Sequence, residues 1–513
     1  MATDVRRPSS RRARRLRRAG PISRARSRIG ALPRALILIL IVGALQALAW
    51  NVALPAFQGP DEDAHFAYVQ YLAETGKLPS PSVGDSPVST EEHDALTYLN
   101  LFSLRGVLAA RPAWSSADLR YWQQIEKTLP PGAAANGAGA NPIAKDPPLY
   151  YAIMSIPYRM FASLPLLKRI FVLRLFNALC FLATIALVWT IAGDLFGGTQ
   201  WKQVVAAGAV ALEPQLAFMS AVINADNLLI ALTTATLLAA LRLVMRGPSV
   251  GRVLTMCLLA AAAALTHGRG LVNVPVAVTA LVVAWIRFRP GVRQVAGQLA
   301  VMAGTLGGAA SLYLLFGTPG GGGAAYGGQV GALNSGPPFN FRQFLSSIYQ
   351  FYFPRLPGMR PRLGPAYGYR QVFIETFFGA FGWLEVTFKP RVYAVLEVAS
   401  AIGIVGLYTA FVTRFRSIRR QWPAVIVMLS LLVTNIVFLH YVSYRALLGN
   451  GGTNPLIVGR YLLPMISLFG LAIAFTVGSL PRRLGPPVAA VVLAAGVLLS
   501  LTGIGITAVR FYA

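Results

Sequence analysis

Cysteine is nearly absent from this chain. Only Cys180 and Cys257 occur among 513 residues, far apart and inside apolar segments. This pair excludes a disulfide framework and gives no support to a metal–thiolate site. Charge is also scarce, at 12% of residues, whereas 55% are hydrophobic and the mean hydropathy is +0.57. Such scarcity, together with repeated apolar runs of about 20 residues, excludes a soluble enzyme and predicts an all-α integral membrane protein.

Acidic residues are few, and the basic residues have a pattern. The chain has 18 Asp or Glu against 46 Lys or Arg, and twelve arginines fall within residues 1–34. Short loops rich in arginine are typical of the cytoplasmic face. We therefore predict a disordered, cytoplasmic basic tail over 1–34, whose partner is anionic membrane lipid and not nucleic acid. The polytopic transmembrane domain would cover 35–513.

The positions of the basic clusters between the apolar runs determine the predicted topology. With the N-terminus in the cytoplasm, every strong basic cluster lies inside if the run 148–164 does not cross but lies at the outer interface. The count is then eleven transmembrane helices, within a range of eleven to thirteen. The predicted spans are 36–54, 170–192, 203–222, 227–245, 253–266, 270–286, 294–316, 392–412, 424–444, 457–479 and 486–508.

Two long segments fall outside the membrane in this topology and are predicted to carry membrane-lying helices. The first outer loop, 55–169, holds over its residues 55–147 eleven of the eighteen acids against six Lys or Arg. Its run Phe66–Leu72 has the periodicity of an amphipathic helix on the bilayer. The second outer loop, 317–391, ends in an apolar run, 372–388, that we expect to dip into the membrane. Loops of this length are commonly functional.

The polar residues near membrane level gather on the outer side. Ionisable groups at this depth normally face a cavity or one another, so we expect one polar cavity open to that side. Its candidate members are Asp61, Glu62, Asp63, His65, Asp146, Asn224, Asp226, His267, Arg269 and Arg460.

Several short motifs carry a resemblance to a known superfamily. The stretch Gly59–Phe66 after the first span, the Pro147-Pro148-Leu149-Tyr150-Tyr151 segment, and the third-to-fourth span turn with Asn224 and Asp226 resemble the C-type membrane glycosyltransferases. These multi-spanning enzymes take a sugar from a polyprenyl-phosphate carrier at the outer face. The Phe378–Leu384 and Gly459–Pro464 stretches are most similar to one bacterial branch, the domain-of-unknown-function 2142 membrane proteins.

The resemblance implies a role for the first acid of the motif. Asp61 would be the base that accepts the proton of the acceptor hydroxyl, with Glu62 or Asp63 in support. A positioned carboxylate is worth about 10²–10⁴-fold in rate. Arg460, Arg269 and His267 are candidates to stabilise the departing phosphate, although helix-end roles compete equally for each. His65, Asp146, Asn224 and Asp226 are expected to contact substrate, with helix capping as the alternative for Asp226.

The expected activity is sugar transfer from a polyprenyl-phosphate donor to an envelope glycan, lipid or protein at the outer face of a bacterial plasma membrane. We assign no metal ligand, because no His and Asp set has a recognisable spacing; a divalent cation, magnesium or manganese, stays open as a cofactor. One alternative is a transporter or flippase of lipid-linked sugars, disfavoured by the scarcity of charge in the central spans. Another is a non-catalytic scaffold for envelope assembly.

Overall fold

A computed structural model describes residues 33–79, 88–105, 107, 114–137, 141, 143–144, 146–316, 338–360, 362–363, 368–449 and 457–513. The basic tail up to residue 32 therefore lies outside the described residues. Among the described residues, nine helices are long and apolar enough to cross a membrane. They are Arg34–Ala53, Leu166–Leu195, Asp226–Arg246, Gly268–Phe288, Val292–Leu312, Pro390–Thr413, Trp422–Leu448, Gly459–Ser479 and Gly485–Tyr512.

The remaining two predicted spans coincide with shorter helices. Val250–Thr266 occupies the predicted span 253–266. The predicted span 203–222 is broken into Gln200–Ala211 and Pro214–Met219, because Glu213 turns its carboxylate onto the amides that begin the second piece. The all-α membrane fold is thus confirmed, whereas the count of eleven crossings stays a prediction.

The described part of the first outer loop is a set of short helices. Their bounds are Glu62–Thr75, Thr90–Tyr98, Leu101–Leu104, Ser116–Glu126 and Leu149–Met160. We call Glu62–Thr75 the motif helix and Leu149–Met160 the platform helix. The platform helix is shorter than a span, and it exposes Ile153, Ile156 and Met160 along one side. This exposed apolar side agrees with the predicted position of 148–164 at the interface.

The motif helix does not lie open on the bilayer, and that prediction was wrong. Phe66, Tyr68 and Val69 are fully buried, and the Tyr68 ring stacks on Tyr151 of the platform helix with centroids 3.6 Å apart. The helix is therefore enclosed by protein on several sides. A helix buried nearly all round has no single apolar stripe to distinguish it from one that lies on a membrane.

The described part of the second outer loop forms short helices and a hairpin. It contains the helix Phe341–Tyr352, a π-helical turn Gln371–Glu375, the turn Thr376–Phe378 and a two-stranded antiparallel hairpin, Ala380–Phe381 with Val386–Thr387. The start of this loop, 317–337, lies outside the described residues.

The run 372–388 is largely buried against other helices, and its expected dip into the membrane stays a prediction. Gln215 fixes it by a reciprocal pair of hydrogen bonds, because its side chain donates to the Ala380 carbonyl at 3.3 Å and accepts from the Ala380 amide at 3.0 Å. Phe381 packs its ring against Trp50 and Phe218. The broken helix, the first span and the second loop therefore meet beneath the acidic motif.

The inner ends of the spans connect through short turns, including the helix Phe415–Arg420. Asp194, at the end of Leu166–Leu195, accepts hydrogen bonds from Arg242 at 2.8 Å and Arg246 at 2.9 Å. The arginine-rich ends thus gather on the side opposite the two long loops, as the charge pattern predicts.

Candidate functional site

Asp61 begins the motif helix in an unusual backbone conformation. Its φ is +57°, in the left-handed region that Asp tolerates better than most residues, and its carboxylate makes no capping hydrogen bond to the helix. The side chain instead meets Arg460, whose Nη2 donates to Oδ2 at 2.8 Å. Asp61 is 41% exposed. The carboxylate is therefore positioned and accessible.

Arg460 is brought to Asp61 by a close approach of the backbone. Gly459, its neighbour, donates its amide to the Thr376 hydroxyl at 2.6 Å, and a Cβ at Gly459 would lie 2.2 Å from the amide nitrogen of Phe377. Only glycine fits there. The start of the Gly459–Ser479 span is thereby locked to the second loop, and Arg460 points across at the acidic motif.

A second arginine lies beside the first. Arg269 is ion-paired with Asp226. The Cζ atom of its guanidinium lies 4.4 Å from the centre of the Tyr461 ring, and that of Arg460 lies 5.3 Å from the same centre. Both arginines keep buried Nε and Nη1 atoms without a hydrogen-bond partner among the described residues. Four unpaired guanidinium nitrogens around one tyrosine, with six N–H donors between them, are costly unless an anion accepts hydrogen bonds from them.

Glu62 has a different environment from Asp61, although the two are adjacent. It is fully buried and accepts from Arg174 through both oxygens, at 2.7 Å and 2.5 Å, and from the Ile223 amide at 3.0 Å. Arg174 also donates to the carbonyls of Leu54 and Pro55. All of this holds the motif in place and leaves no room for substrate on the Glu62 carboxylate, so the geometry favours a positioning role over the expected catalytic one.

Asp63 links the motif to both outer loops. It accepts from Arg105 at 3.0 Å, and the Arg105 guanidinium stacks over the Trp383 ring of the second-loop hairpin at 4.7 Å. The Asp63 side chain is 17% exposed. Asp63 therefore joins the two loops across the site.

A chain of polar contacts connects His65 to the arginine pair. His65 Nδ1 lies 2.9 Å from the Tyr151 hydroxyl, and that hydroxyl donates to Asp146 at 3.4 Å. Asp146 lies 3.9 Å from Nε2 of His267, whose Nδ1 accepts the Arg269 amide at 3.0 Å. Because Nδ1 of His267 is an acceptor, a neutral ring carries its proton on Nε2, facing Asp146.

His65 is uncharged at neutral pH. Burial lowers its pKa to about 4, against smaller opposing effects of Asp61 and Asp226 that raise it. A neutral imidazole can exchange a hydrogen bond with Tyr151 but adds no positive charge for a phosphate. The cationic groups of the site are thus the two arginines.

Asn224 and Asp226 hold the third-to-fourth span turn against the motif. The Asn224 side chain donates to the Pro60 carbonyl at 3.3 Å and accepts the Asp226 amide at 2.9 Å. Asp226 pairs with Arg269 and makes no cap. Both residues lie at the site as expected, but their polar groups are engaged with protein, which favours positioning over direct substrate contact.

The structure brings all ten sequence-predicted residues into one region, and it adds three that were missed. Arg174, Arg105 and Tyr461 complete the contacts of Glu62, Asp63 and the arginine pair. Tyr461 lies inside the Gly459–Pro464 stretch already noted for its resemblance, and a search for a basic partner of each acid could have found Arg174. Within the described residues, no group of three or more His, Cys, Asp or Glu side chains is arranged to hold a metal ion.

A polytopic membrane protein with a cluster of charged and polar side chains on its long-loop side is the class that this fold and this site define. A family model described as "Predicted membrane protein (DUF2142)" matches residues 44–469, and the chain belongs to that family. The branch expected from the motifs is therefore confirmed. No match to a curated protein was found.

Solved structures show a distant likeness. ArnT from Cupriavidus metallidurans, bound to undecaprenyl phosphate, is 15% identical with a TM-score of 0.45, over 93% of this chain and 75% of that one. The oligosaccharyltransferase of Archaeoglobus fulgidus is 14% identical in its apo form, with a TM-score of 0.43, over 93% of this chain and 55% of that one. AglB from the same organism, in complex with an inhibitory peptide and a dolichol-phosphate, is 13% identical with a TM-score of 0.44. This chain thus spans about half of the archaeal enzyme.

Proposed function

We propose that this protein is a membrane glycosyltransferase that moves a sugar from a polyprenyl-phosphate donor to a cell-envelope acceptor on the side of its two long loops. The observation that carries the proposal is the pairing of an accessible carboxylate, Asp61, with Arg460, which keeps unpaired guanidinium donors at the same point. A proton acceptor and an anion receptor side by side are what sugar transfer from a lipid phosphate requires.

Asp61 is the proton acceptor in this proposal. The hydroxyl oxygen of the acceptor forms the new bond to the anomeric carbon, and the bond from that carbon to the phosphate oxygen breaks. Its electron pair stays on the phosphate, while the hydroxyl proton passes to the Asp61 carboxylate. Arg460 donates to the carboxylate at 2.8 Å and fixes its position.

Arg460 and Arg269 receive the phosphate. Guanidinium groups donate N–H hydrogen bonds to phosphate oxygens, and each arginine has Nε and Nη1 without a partner among the described residues. Nη2 of each already donates to a carboxylate, so Nε and Nη1 would each give the phosphate a separate hydrogen bond. Asp226 fixes Arg269 by an ion pair, and the Tyr461 ring contacts both guanidinium groups. The negative charge that grows on the leaving phosphate would then be met by donors already in place, which is where electrostatic catalysis gains most.

An apolar cavity next to the arginines fits the prenyl chain. It has a volume of about 350 Å³ and is lined by Leu271, Val272, Pro275, Val433, Thr434, Val437, Phe438 and Tyr441. Its lining residue Leu271 follows Arg269 by two positions, so the cavity begins close to the proposed phosphate site. A prenyl chain needs an apolar wall because its exposure to water is unfavourable in free energy.

The other polar residues position these groups. Glu62 and Asn224 hold the motif, and His65, Tyr151, Asp146 and His267 connect it to Arg269. A divalent cation, magnesium or manganese, stays an open expectation, as do a bacterial plasma membrane and a cytoplasmic N-terminus. The acceptor class remains envelope glycan, lipid or protein.

Complementation tests the proposal in cells. A deletion strain should lose one sugar residue from an envelope glycan, and the wild type should restore it. The matched control is Asp118→Asn, which removes a carboxylate of the first loop outside the site. It should restore the glycan, whereas Asp61→Asn at equal protein level should not. Restoration by Asp61→Asn would favour a scaffold, and movement of labelled donor across vesicles without a glycosidic product would favour a flippase.

A further inference from the structure

The helix Phe341–Tyr352 of the second loop has an apolar side that no described part of the protein covers. Phe341 is 63% exposed and Leu345 is 49% exposed, and Phe353, just past the helix end, is 59% exposed. Together with Tyr349, whose ring lies 5.2 Å from that of Phe353, these residues recur every four positions. An i, i+4, i+8, i+12 spacing places them along one stripe of the helix.

The opposite side of the same helix is fixed to a transmembrane span. The Tyr352 hydroxyl lies 3.0 Å from His440 Nε2, and the Tyr444 hydroxyl donates to the Asn340 carbonyl at 3.2 Å. Phe351 also packs edge-on against His440. The helix therefore has a defined orientation at the loop-side end of Trp422–Leu448, and its exposed stripe is not a consequence of looseness.

The stripe continues a surface that already faces lipid. Leu429, Val433 and Val437 of the span are each at least half exposed and also recur every four residues. The next position in that series, Tyr441, contacts Phe339 at 5.8 Å and Phe344 at 6.5 Å. The exposed apolar surface of the span thus leads directly onto the second-loop helix.

Charge completes the pattern. From 338 to 374 the sequence contains no Asp or Glu, and it contains the five arginines Arg342, Arg355, Arg360, Arg362 and Arg370. All five are exposed, and Arg370 is ion-paired with Glu397 at 3.0 Å. An apolar stripe bordered by arginines and tyrosines, without acids, is the composition of a helix that lies in a membrane interface and binds anionic headgroups.

We propose that the helix Phe341–Tyr352 inserts its Phe341, Leu345 and Phe353 stripe into the adjacent lipid leaflet, with its arginines on anionic headgroups. The partner is the bilayer itself, and the inference is independent of the proposed chemistry. Because Tyr441 lines the apolar cavity and also contacts Phe339 and Phe344, one wall of that cavity would lie next to the headgroups.

Nitroxide accessibility in the full-length protein tests this. Cys180 and Cys257 are replaced by Ala, and a spin label is attached at Leu345→Cys or, as a matched exposed helical position of the first loop, at Gln124→Cys. In phosphatidylglycerol-containing vesicles, the ratio of collisions with oxygen to collisions with a water-soluble nickel chelate should be severalfold higher at 345 than at 124. The label at 345 should lie shallower in pure phosphatidylcholine.

Three outcomes would overturn the proposal. Equal ratios at 345 and 124 would place the stripe in water. A short dipolar distance between labels of two molecules would show that a second copy covers the stripe. Equal depth in both lipids would remove the anionic headgroups as partners. Leu345→Cys is a surface change, so loss of folding is not expected to obscure the result.

Discussion

Replacing Glu62 by Gln should unfold the protein and not merely inactivate it. The Glu62–Arg174 pair is buried on both sides, at 0% and 3% exposure, so the change leaves a buried guanidinium without its counter-charge. Breaking a buried pair in this way costs about 3–5 kcal/mol. By contrast, the Asp61–Arg460 pair is partly exposed, and Asp61→Asn should cost at most about 1 kcal/mol.

The two variants can be compared in one assay. The folded fraction in detergent is followed against temperature and denaturing surfactant, for wild type, Glu62→Gln and Asp61→Asn. The expected loss for Glu62→Gln is roughly two to four orders of magnitude in the folding equilibrium. Adding Arg174→Met to Glu62→Gln should recover part of that loss, because it removes the unpaired charge. A Glu62→Gln protein as stable as wild type yet inactive would refute this reasoning and return Glu62 to catalysis.

Further predictions address His65, Gly459, Tyr151 and the arginine pair. The folded pKa of His65 is about 4, below the ordinary 6.5, so between these values the unfolded chain binds a proton that the folded protein does not. The free energy of unfolding should therefore fall as the pH drops through this window, and melting curves of His65→Gln at pH 4–7 should show less of that fall. Gly459→Ala should destabilise the protein by about 1–3 kcal/mol, because the added Cβ meets backbone of the second loop, and reduced thermal stability would show it. Tyr151→Phe removes the hydroxyl between His65 and Asp146 and should cost about 0.5–1.5 kcal/mol by the same measurement. Arg269→Lys should raise the KM for the lipid donor more than it lowers kcat, since the charge stays but the unpaired Nε and Nη1 donors are lost.

The class of fold, and which residues lie at the candidate site, could be predicted from the sequence. Charge scarcity and arginine placement predict the membrane and the side on which the acids gather. Asp61 and Arg460, 399 positions apart, were expected on one side of the membrane, and they form a hydrogen bond. Short motifs could do this because each lies at the end of a span, where topology alone limits its neighbours.

The division of labour among neighbouring acids could not be predicted. Asp61 and Glu62 are adjacent acidic residues, and nothing in the sequence distinguishes their roles. The left-handed backbone of Asp61 directs the two side chains to different partners. The enclosed motif helix was mistaken for a membrane-lying one, since the periodicity of Phe66–Leu72 is compatible with either lipid or the platform helix. The sequence did not single out the helix Phe341–Tyr352, because the run 372–388 of the same loop is more apolar. That run is largely buried in protein.

Purified protein in lipid vesicles offers the most direct test of the central claim. A labelled polyprenyl-phosphate sugar is supplied with candidate acceptors, and the appearance of glycosylated acceptor and of free polyprenyl phosphate is measured together. We predict equal amounts of both products from wild type and from Asp118→Asn. In correctly folded Asp61→Asn the rate of transfer should fall about 10²–10⁴-fold. Undiminished transfer by folded Asp61→Asn would contradict this prediction.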